Sequence, residues 1–394
     1  TALNLQLSTR VQSIKPSPTL AVTNRAAELR AAGQDIIGLG AGEPDFDTPQ
    51  HIKDAATQAI NNGFTKYTAV DGTPQLKNAI INKFKHDNSL DYQANQILVS
   101  CGGKQSFFNL SLALLNPGDE VVIPAPFWVS YPDMVKMAEG VPVVIETNAA
   151  ARFKISAAQL DAAITKKTKL VVLNSPSNPS GMAYTKAELI ELGEVLRKYP
   201  DVLIATDDMY EHILWTDEEF NNILTVNPDL YDRTIVLNGV SKAYSMTGWR
   251  IGYAAGPQPL IAAMKKIQSQ STSNPTSISQ VAAQAALEGD QQCVKDMVKV
   301  FKQRHDYTVK ALNEIDGIEC LAGDGTFYVF PDFSGMQAKL SCDTDTDLAE
   351  KLLEAGVALV PGSAFGTPGH MRISFATSDE NLQKSVERLK AASA

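Results

Sequence analysis

Thr234-Ile235-Val236-Leu237-Asn238-Gly239-Val240-Ser241-Lys242-Ala243-Tyr244-Ser245-Met246-Thr247-Gly248-Trp249-Arg250-Ile251-Gly252 begins as an apolar strand and runs into a loop carrying one lysine and one arginine. Small or hydroxylated side chains flank Lys242, and no acid is adjacent. A lysine partly desolvated among such neighbours loses basicity, and its amine becomes a nucleophile toward a carbonyl. Arg250 stands between a tryptophan and an isoleucine, and its planar fork matches a phosphate bidentately. A carbonyl to condense with and a phosphate to anchor describe one ligand, pyridoxal 5'-phosphate (PLP).

Upstream, apolar strands alternate with helical segments. Residues 97–100, 120–124, 141–146, 170–174 and 202–206 read as strands, with helices expected over residues 51–61, 73–86, 106–115, 156–164 and 186–199. Phe127-Trp128-Val129-Ser130-Tyr131 reads as the opening of a further helix. Near-continuous apolar strands separated by helices indicate a parallel sheet buried on both faces. Ligand groups in such sheets sit on loops beyond the strand C-termini. Gly103, Trp128, Asn178, Asp207 and Lys242 all fall just after strands, which points to one shared site. The turn Cys101-Gly102-Gly103-Lys104-Gln105, between a strand and a helix, directs free amides at an anion.

After Gly252 the pattern changes. Helices are expected over residues 259–270, 277–288 and 291–315, with short strands at 327–330, 357–360 and 371–375 and a last helix from 379. This is the pattern of a smaller α+β domain. At the other end, Lys15-Pro16-Ser17-Pro18 is an extended arm, and Thr19 is the expected cap of a helix over residues 20–32. The expected organisation is an arm with part of the small domain over 1–47, a large domain over 48–288, and a small C-terminal domain over 289–394.

Several motif matches fail on chemistry. Gly38-Leu39-Gly40-Ala41-Gly42 has glycines suited to a dinucleotide, but Pro44 and Pro49 prevent the helix that such a site needs. The better reading is a turn where backbone approaches a ligand closely. The Gly102-Gly103 turn lacks Walker spacing. Asp343-Thr344-Asp345-Thr346-Asp347 and Glu354 have the charge spacing of a calcium loop, but Leu348 stands where its glycine belongs, so a capped helix is expected. No metal site is expected, because no histidine cluster supports Asp207 and Asp208.

The formal net charge of −9 over 394 residues argues against a nucleic-acid partner. The four cysteines are widely spaced and form no CxxC pair, which favours a reducing cytoplasmic setting. No apolar run approaches membrane-spanning length, and residues 1–10 show no signal-peptide pattern.

Six segments in order carry a more specific resemblance. They are Gly42-Glu43-Pro44-Asp45-Phe46, Gly102-Gly103-Lys104-Gln105, Asn174-Ser175-Pro176-Ser177-Asn178-Pro179-Ser180-Gly181, Asp207-Asp208-Met209-Tyr210, Ser241-Lys242 through Gly248-Trp249-Arg250-Ile251-Gly252, and Arg372-Ile373-Ser374-Phe375-Ala376. Over nearly its full length the chain resembles class I aminotransferases of PLP fold type I, close to the bacterial aspartate aminotransferases and the group that also transaminates prephenate. The resemblance implies a mainly parallel central sheet flanked by helices, plus the smaller α+β domain.

It also implies roles. Lys242 would join the cofactor carbonyl and later carry a proton, while Asp207 would pair with the ring nitrogen. Tyr210 and Asn178 would hydrogen-bond the ring's phenolic oxygen, and Trp128 would stack on the ring. The Gly103 and Lys104 amides, Ser241 and Arg250 would hold the phosphate. Tyr67 would reach the phosphate in the other subunit, making a homodimer with shared active sites. Arg372 would clamp the substrate α-carboxylate, with Asn178, Trp128 and the Gly42 backbone alongside. Its place on an otherwise apolar strand favours a function, since an unpaired buried arginine is costly.

Substrates would be an amino acid and a 2-oxo acid, most specifically L-aspartate and 2-oxoglutarate, with prephenate as a second acceptor. Animal-type relatives use a partner arginine for the distal carboxylate, whereas this chain has Ser269 there. Lys104 would take that part, and Lys15 matches a position associated with prephenate. The family usually has glutamate after the ring aspartate; Asp208 departs from that pattern. Alternatives of the same fold are an alanine or aromatic aminotransferase and a C–S lyase. The alternative of another class is a non-catalytic effector domain, against which Lys242 and Arg372 both speak.

Overall fold

The computed structural model describes residues 2–394. Its strands are β1 (Ile37–Gly38), β2 (Ile97–Ser100), β3 (Glu120–Pro124), β4 (Val141–Ile145), β5 (Thr168–Asn174), β6 (Leu203–Asp207), β7 (Thr234–Gly239), β8 (Gly252–Ala255), β9 (Tyr328–Val329), β10 (Val357–Ala358), β11 (Val360–Pro361) and β12 (Met371–Ser374). Seven of them form the central sheet, in the order β2-β8-β7-β6-β5-β3-β4.

Alternate residues of these strands feed two separate cores. Val122, Val171, Leu173, Ile204 and Val236 pack on one face. Val121, Ile123, Leu170, Val172, Ala205, Ile235 and Leu237 pack on the other. A strand with both faces covered must be apolar throughout, which is why these strands read as continuous runs. Each fully buried Val, Leu or Ile contributes roughly 1.5–3 kcal/mol of burial free energy.

The sheet departs from the expected parallel pattern at one strand. β8 runs antiparallel to both β2 and β7. Gly252-Tyr253-Ala254-Ala255 is too short and too poor in bulky apolar residues to stand out in sequence beside the Trp249-Arg250 loop. Its direction has a consequence: β8 starts, rather than ends, at the carboxyl edge, and this brings the preceding Arg250 to that edge. The approach is close. A Cβ on Gly252 would lie 2.4 Å from the Gly103 amide nitrogen, so only glycine fits there.

The C-terminal part builds a third core from Phe301, Phe327, Leu348, Leu352, Ile373 and Leu389, joined by Ile37 and Leu39 from the N-terminal side. β1 pairs in parallel with β10, and β11-β12-β9 form an antiparallel sheet. The expected single strand over 357–360 is therefore two, because the chain changes partner at Leu359. The long helix Gln292–Asn313 and the helix Asp379–Ser393 pack here. The helix Asp345–Glu354 starts at Thr344, whose hydroxyl accepts from the Asp347 amide, as a capped helix rather than a calcium loop.

Near the N-terminus the helix is Pro18–Ala31, capped by Ser17 and not Thr19, because Pro18 suits the first helical turn. A short helix, Thr9–Gln12, precedes it within the arm, upstream of the expected extended stretch Lys15–Pro18. Among the described residues no helix is long and apolar enough to cross a membrane.

Candidate active site

The carboxyl edge of the sheet opens into a cavity of about 420 Å³, lined also by Tyr328 and Arg372 of the smaller body and by Ser17, Thr19, Leu20 and Thr23. β5 and β6 end side by side, with Asn174 opposite Asp207 in register. Asn174 donates to the Asp207 carbonyl at 3.1 Å and accepts from the Asn178 amide at 3.0 Å. That pair of bonds folds the loop after β5 back over the end of β6.

Asp207 projects its carboxylate into the cavity. The Tyr131 hydroxyl donates to Asp207 Oδ2, and the Met209 amide donates to Oδ1 at 3.2 Å. Burial pushes the Asp207 carboxyl up, while Tyr131, Met209 and Lys242 pull it down. The next residue points elsewhere: Asp208 is buried and accepts from Thr206 and Asn222, each at 2.7 Å. Asp208 thus braces the strand end from behind and does not line the cavity.

Lys242 follows β7 and donates to the Gly42 carbonyl. No carboxylate lies within ion-pair distance of it among the described residues. Burial first, and then the Arg372 and Arg250 charges, lower its pKa to about 8, opposed by Glu43 and Asp207. At pH 7 roughly a tenth of the amine is therefore neutral and nucleophilic, far more than in a lysine of ordinary basicity.

The anion end of the cavity lies at the start of the helix Gly102–Leu114, which has no side-chain cap. Its positive end is met by Arg250, which donates to the carbonyls of Thr247 (2.8 Å) and Cys101 (3.4 Å) and has no acid partner among the described residues. Gly102 has φ +83, and a Cβ there would meet Arg250 Nη2 at 2.3 Å. The Arg250 cation and the positive end of the helix dipole thus approach each other, an arrangement that an oxyanion between them would stabilise.

The opposite wall belongs to Arg372. Its side chain is 2% exposed as a residue and lies over the rings of Tyr328 and Phe365, at 4.5 and 5.1 Å. It donates to Asn178 Oδ1 at 3.0 Å and to the Gly40 carbonyl at 2.7 Å. Its Nε is buried with no acceptor among the described residues. A buried guanidinium with neutral partners only is under-compensated and suited to a carboxylate.

The structure brings together at this cavity Gly42, Gly103, Lys104, Trp128, Asn178, Asp207, Tyr210, Ser241, Lys242, Arg250 and Arg372. Tyr67 and Lys15 are not among them: Tyr67 is 91% exposed, and Lys15 lines a neighbouring groove with Asp133 and Lys136. Trp128 sits in a loop, since the helix begins only at Ser130. Lys104 Nζ lies 5.5 Å from the centre of the Trp128 ring.

Sequence reasoning missed Tyr131, Glu43, Thr247 and Tyr328. Tyr131 was visible as a polar-tipped aromatic just after a strand. The Thr247 hydroxyl donates to Glu43 at 2.7 Å, and Tyr210 donates to Tyr328 at 3.1 Å. Neither pairing has a local signal in the chain.

The chain belongs to the class I and II aminotransferases: the model of that family matches residues 34–389. It is 62% identical over 392 residues to the aspartate/prephenate aminotransferase of Nitrosomonas europaea, covering 98% of this chain and 99% of that protein. It is 54% identical to the aspartate/prephenate aminotransferase of Cereibacter sphaeroides, with 98% of each chain covered. The crystal structure of the aspartate aminotransferase from Rhizobium meliloti superposes with a TM-score of 0.95 at 49% identity, over 99% of both chains. These comparisons identify an aminotransferase with the type I PLP fold.

Proposed function

We propose that the chain transaminates L-aspartate with 2-oxoglutarate by a ping-pong mechanism, using PLP, and that prephenate is a second amino-group acceptor. The observation that carries this reading is the buried Lys242 amine, free of an acid partner, in one cavity with Asp207, Arg250 and Arg372. The relatives named above support the choice of substrates.

The donor set suits PLP. Arg250, Ser241 and the helix start at Gly102–Gly103 would hold its phosphate, Asp207 its ring nitrogen, Tyr210 and Asn178 its phenolic oxygen, and Trp128 its ring face. Lys242 Nζ would hold it covalently. When bound, the cofactor supplies a carbonyl that accepts the amino group and a protonated ring that draws electrons from Cα.

The remaining work falls to the protein. Arg372 binds the α-carboxylate as a fork, with Asn178 fixing the plane of the guanidinium. Lys242 Nζ takes the proton from the substrate Cα and returns it on the other side of the exchange. Lys104, at the cavity rim, binds the distal carboxylate of aspartate. Ser17, Thr19 and Leu20 complete the lining of the cavity.

The same proposal extends to the assembly. The functional unit is a homodimer in which Tyr67 serves the partner's site; its 91% exposure, and the exposed Leu3, Leu5 and Leu7, support a covering subunit. Segments 1–47 and 289–394 act as one small domain against 48–288, as the β1–β10 pairing supports.

The test is steady-state kinetics with L-aspartate and 2-oxoglutarate. Parallel double-reciprocal lines, with oxaloacetate and glutamate formed one for one, are expected. Intersecting lines, or no oxaloacetate, would contradict the proposal.

A further inference from the structure

The loop from Gly40 to Thr48 is held from both sides of the cavity. From the sheet side, Lys242 donates to the Gly42 carbonyl, the Thr247 hydroxyl donates to Glu43, and the Trp249 indole donates to Thr48 at 2.9 Å. From the other side, Arg372 donates to the Gly40 carbonyl. A further tether comes from a residue outside the cavity. Arg304, on the long helix Gln292–Asn313, grips Asp45 with both ends of its fork, at 2.8 and 2.9 Å.

This grip is built with care for its surroundings. The Arg304 side chain is 10% exposed and that of Asp45 30%. The guanidinium lies 5.4 Å from the Phe46 ring centre and 5.9 Å from that of Phe301. Phe46 in turn meets Phe301 edge-on at 5.6 Å. Arg304 Nε has no acceptor among the described residues; Asp379 Oδ1 lies at 4.0 Å. The bidentate pair fixes both the distance and the plane of Asp45, which a lysine could not do. Two aromatic faces hold the cation in place.

We propose that Arg304 is a positioning residue for substrate recognition: through Asp45 it sets the Gly40–Gly42 carbonyls against Arg372 and Lys242, and so preassembles the receptor for the substrate α-carboxylate. The inference rests on the aminotransferase reading above. Arg304 itself touches no reacting group. Its effect reaches the substrate through the Gly40 carbonyl, which orients the very guanidinium that takes the carboxylate.

The test compares L-alanine with ethylamine, which is the same amine without its carboxylate. PLP-loaded wild type, Arg304→Lys and Asp45→Asn are each mixed with either amine, and second-order rate constants are read from the absorbance of the bound cofactor. Melting temperature and cofactor affinity by equilibrium dialysis are measured on the same samples. Each variant keeps one member of the pair, and the melting temperature shows which samples are folded.

The expected result is a fall of about 10- to 100-fold with L-alanine, the scale of a misplaced positioning group, with ethylamine and cofactor affinity unchanged. Equal losses with both amines, or no loss with either, would overturn the role of Arg304 while leaving the aminotransferase reading intact. A wild type inert toward L-alanine and, in the same assay, toward L-aspartate would overturn that reading, and this inference with it.

Discussion

Arg372 donates to the Asn178 side-chain oxygen at 3.0 Å, joining β12 of the smaller body to the loop after β5 across the cavity. Each partner orients the other: the amide fixes the guanidinium plane, and the cation fixes which face of the amide is turned inward. Replacing Arg372 by leucine is expected to cost about 2–5 kcal/mol in kcat/KM for L-aspartate, the range for losing one member of a desolvated charged contact. Asn178→Ala leaves the cation in place and is expected to cost about 1–3 kcal/mol. Steady-state kinetics on both variants check this. An Arg372→Leu enzyme with unchanged kcat/KM would refute the assignment of the carboxylate.

The Lys242 amine is expected to titrate near pH 8 in the cofactor-free protein. Burial and the neighbouring cations disfavour the charged form, so the reactive neutral amine is gained as pH rises through that value. The ordinary lysine range lies higher. Labelling with trinitrobenzenesulfonate, followed by peptide mapping, reads the midpoint directly. Arg372→Leu removes a repelling positive charge and should move the midpoint up; Glu43→Gln removes an attracting negative charge and should move it down. Shifts in the opposite directions would show that these charges do not govern the amine.

Tyr131 should govern the protonation of Asp207. Its hydroxyl donates to the carboxylate and so favours the ionised form, against the cost of burial. Tyr131→Phe removes that bond, and the Asp207 pKa rises further. In the proposed assignment an ionised Asp207 would hold the protonated ring nitrogen, so loss of cofactor on acidification should begin at higher pH in the variant. Equilibrium dialysis across a pH series measures it. Superimposable profiles would deny Tyr131 this part.

Lys104 and Lys15 separate by substrate. Lys104→Ala should lower the half-reaction with L-aspartate about tenfold or more while sparing L-alanine, which has no distal carboxylate. Equal effects on the two would remove Lys104 from distal-carboxylate recognition. Lys15 lies beside the cavity and not in it. Lys15→Ala should therefore leave the aspartate half-reaction unchanged and slow that with arogenate, the amino acid formed from prephenate. An unchanged arogenate rate would make Lys15 a plain surface lysine.

What the sequence showed depended on whether a residue's role is set locally. Asp207 and Lys242 were legible because one ends an apolar strand and the other follows one closely, and the carboxyl edge of a parallel sheet is where ligand groups collect. Arg372 was legible as a cation on an otherwise apolar strand. β8 was not, because Gly252-Tyr253-Ala254-Ala255, with one bulky residue among four, carries no strand signal of its own, and its reversed direction is decided by the neighbours it joins. The split at Leu359 escaped for the same reason: a change of pairing partner leaves no mark on the segment that changes. Tyr328 reaches Tyr210 across 118 positions, and Arg304 reaches Asp45 across 259. Such contacts are made by packing of segments far apart in the chain, and no window of sequence contains both ends.

The central claim is that Lys242 holds the cofactor and yields it to an amino acid. Borohydride reduction of the PLP-loaded protein, with and without prior L-aspartate, followed by mass mapping of peptides, tests it most directly. The account predicts a pyridoxyl group on Lys242 alone, and its loss after aspartate treatment, when the cofactor has taken up the amino group. Label on another lysine such as Lys104, or label on Lys242 that persists in saturating aspartate, would contradict it.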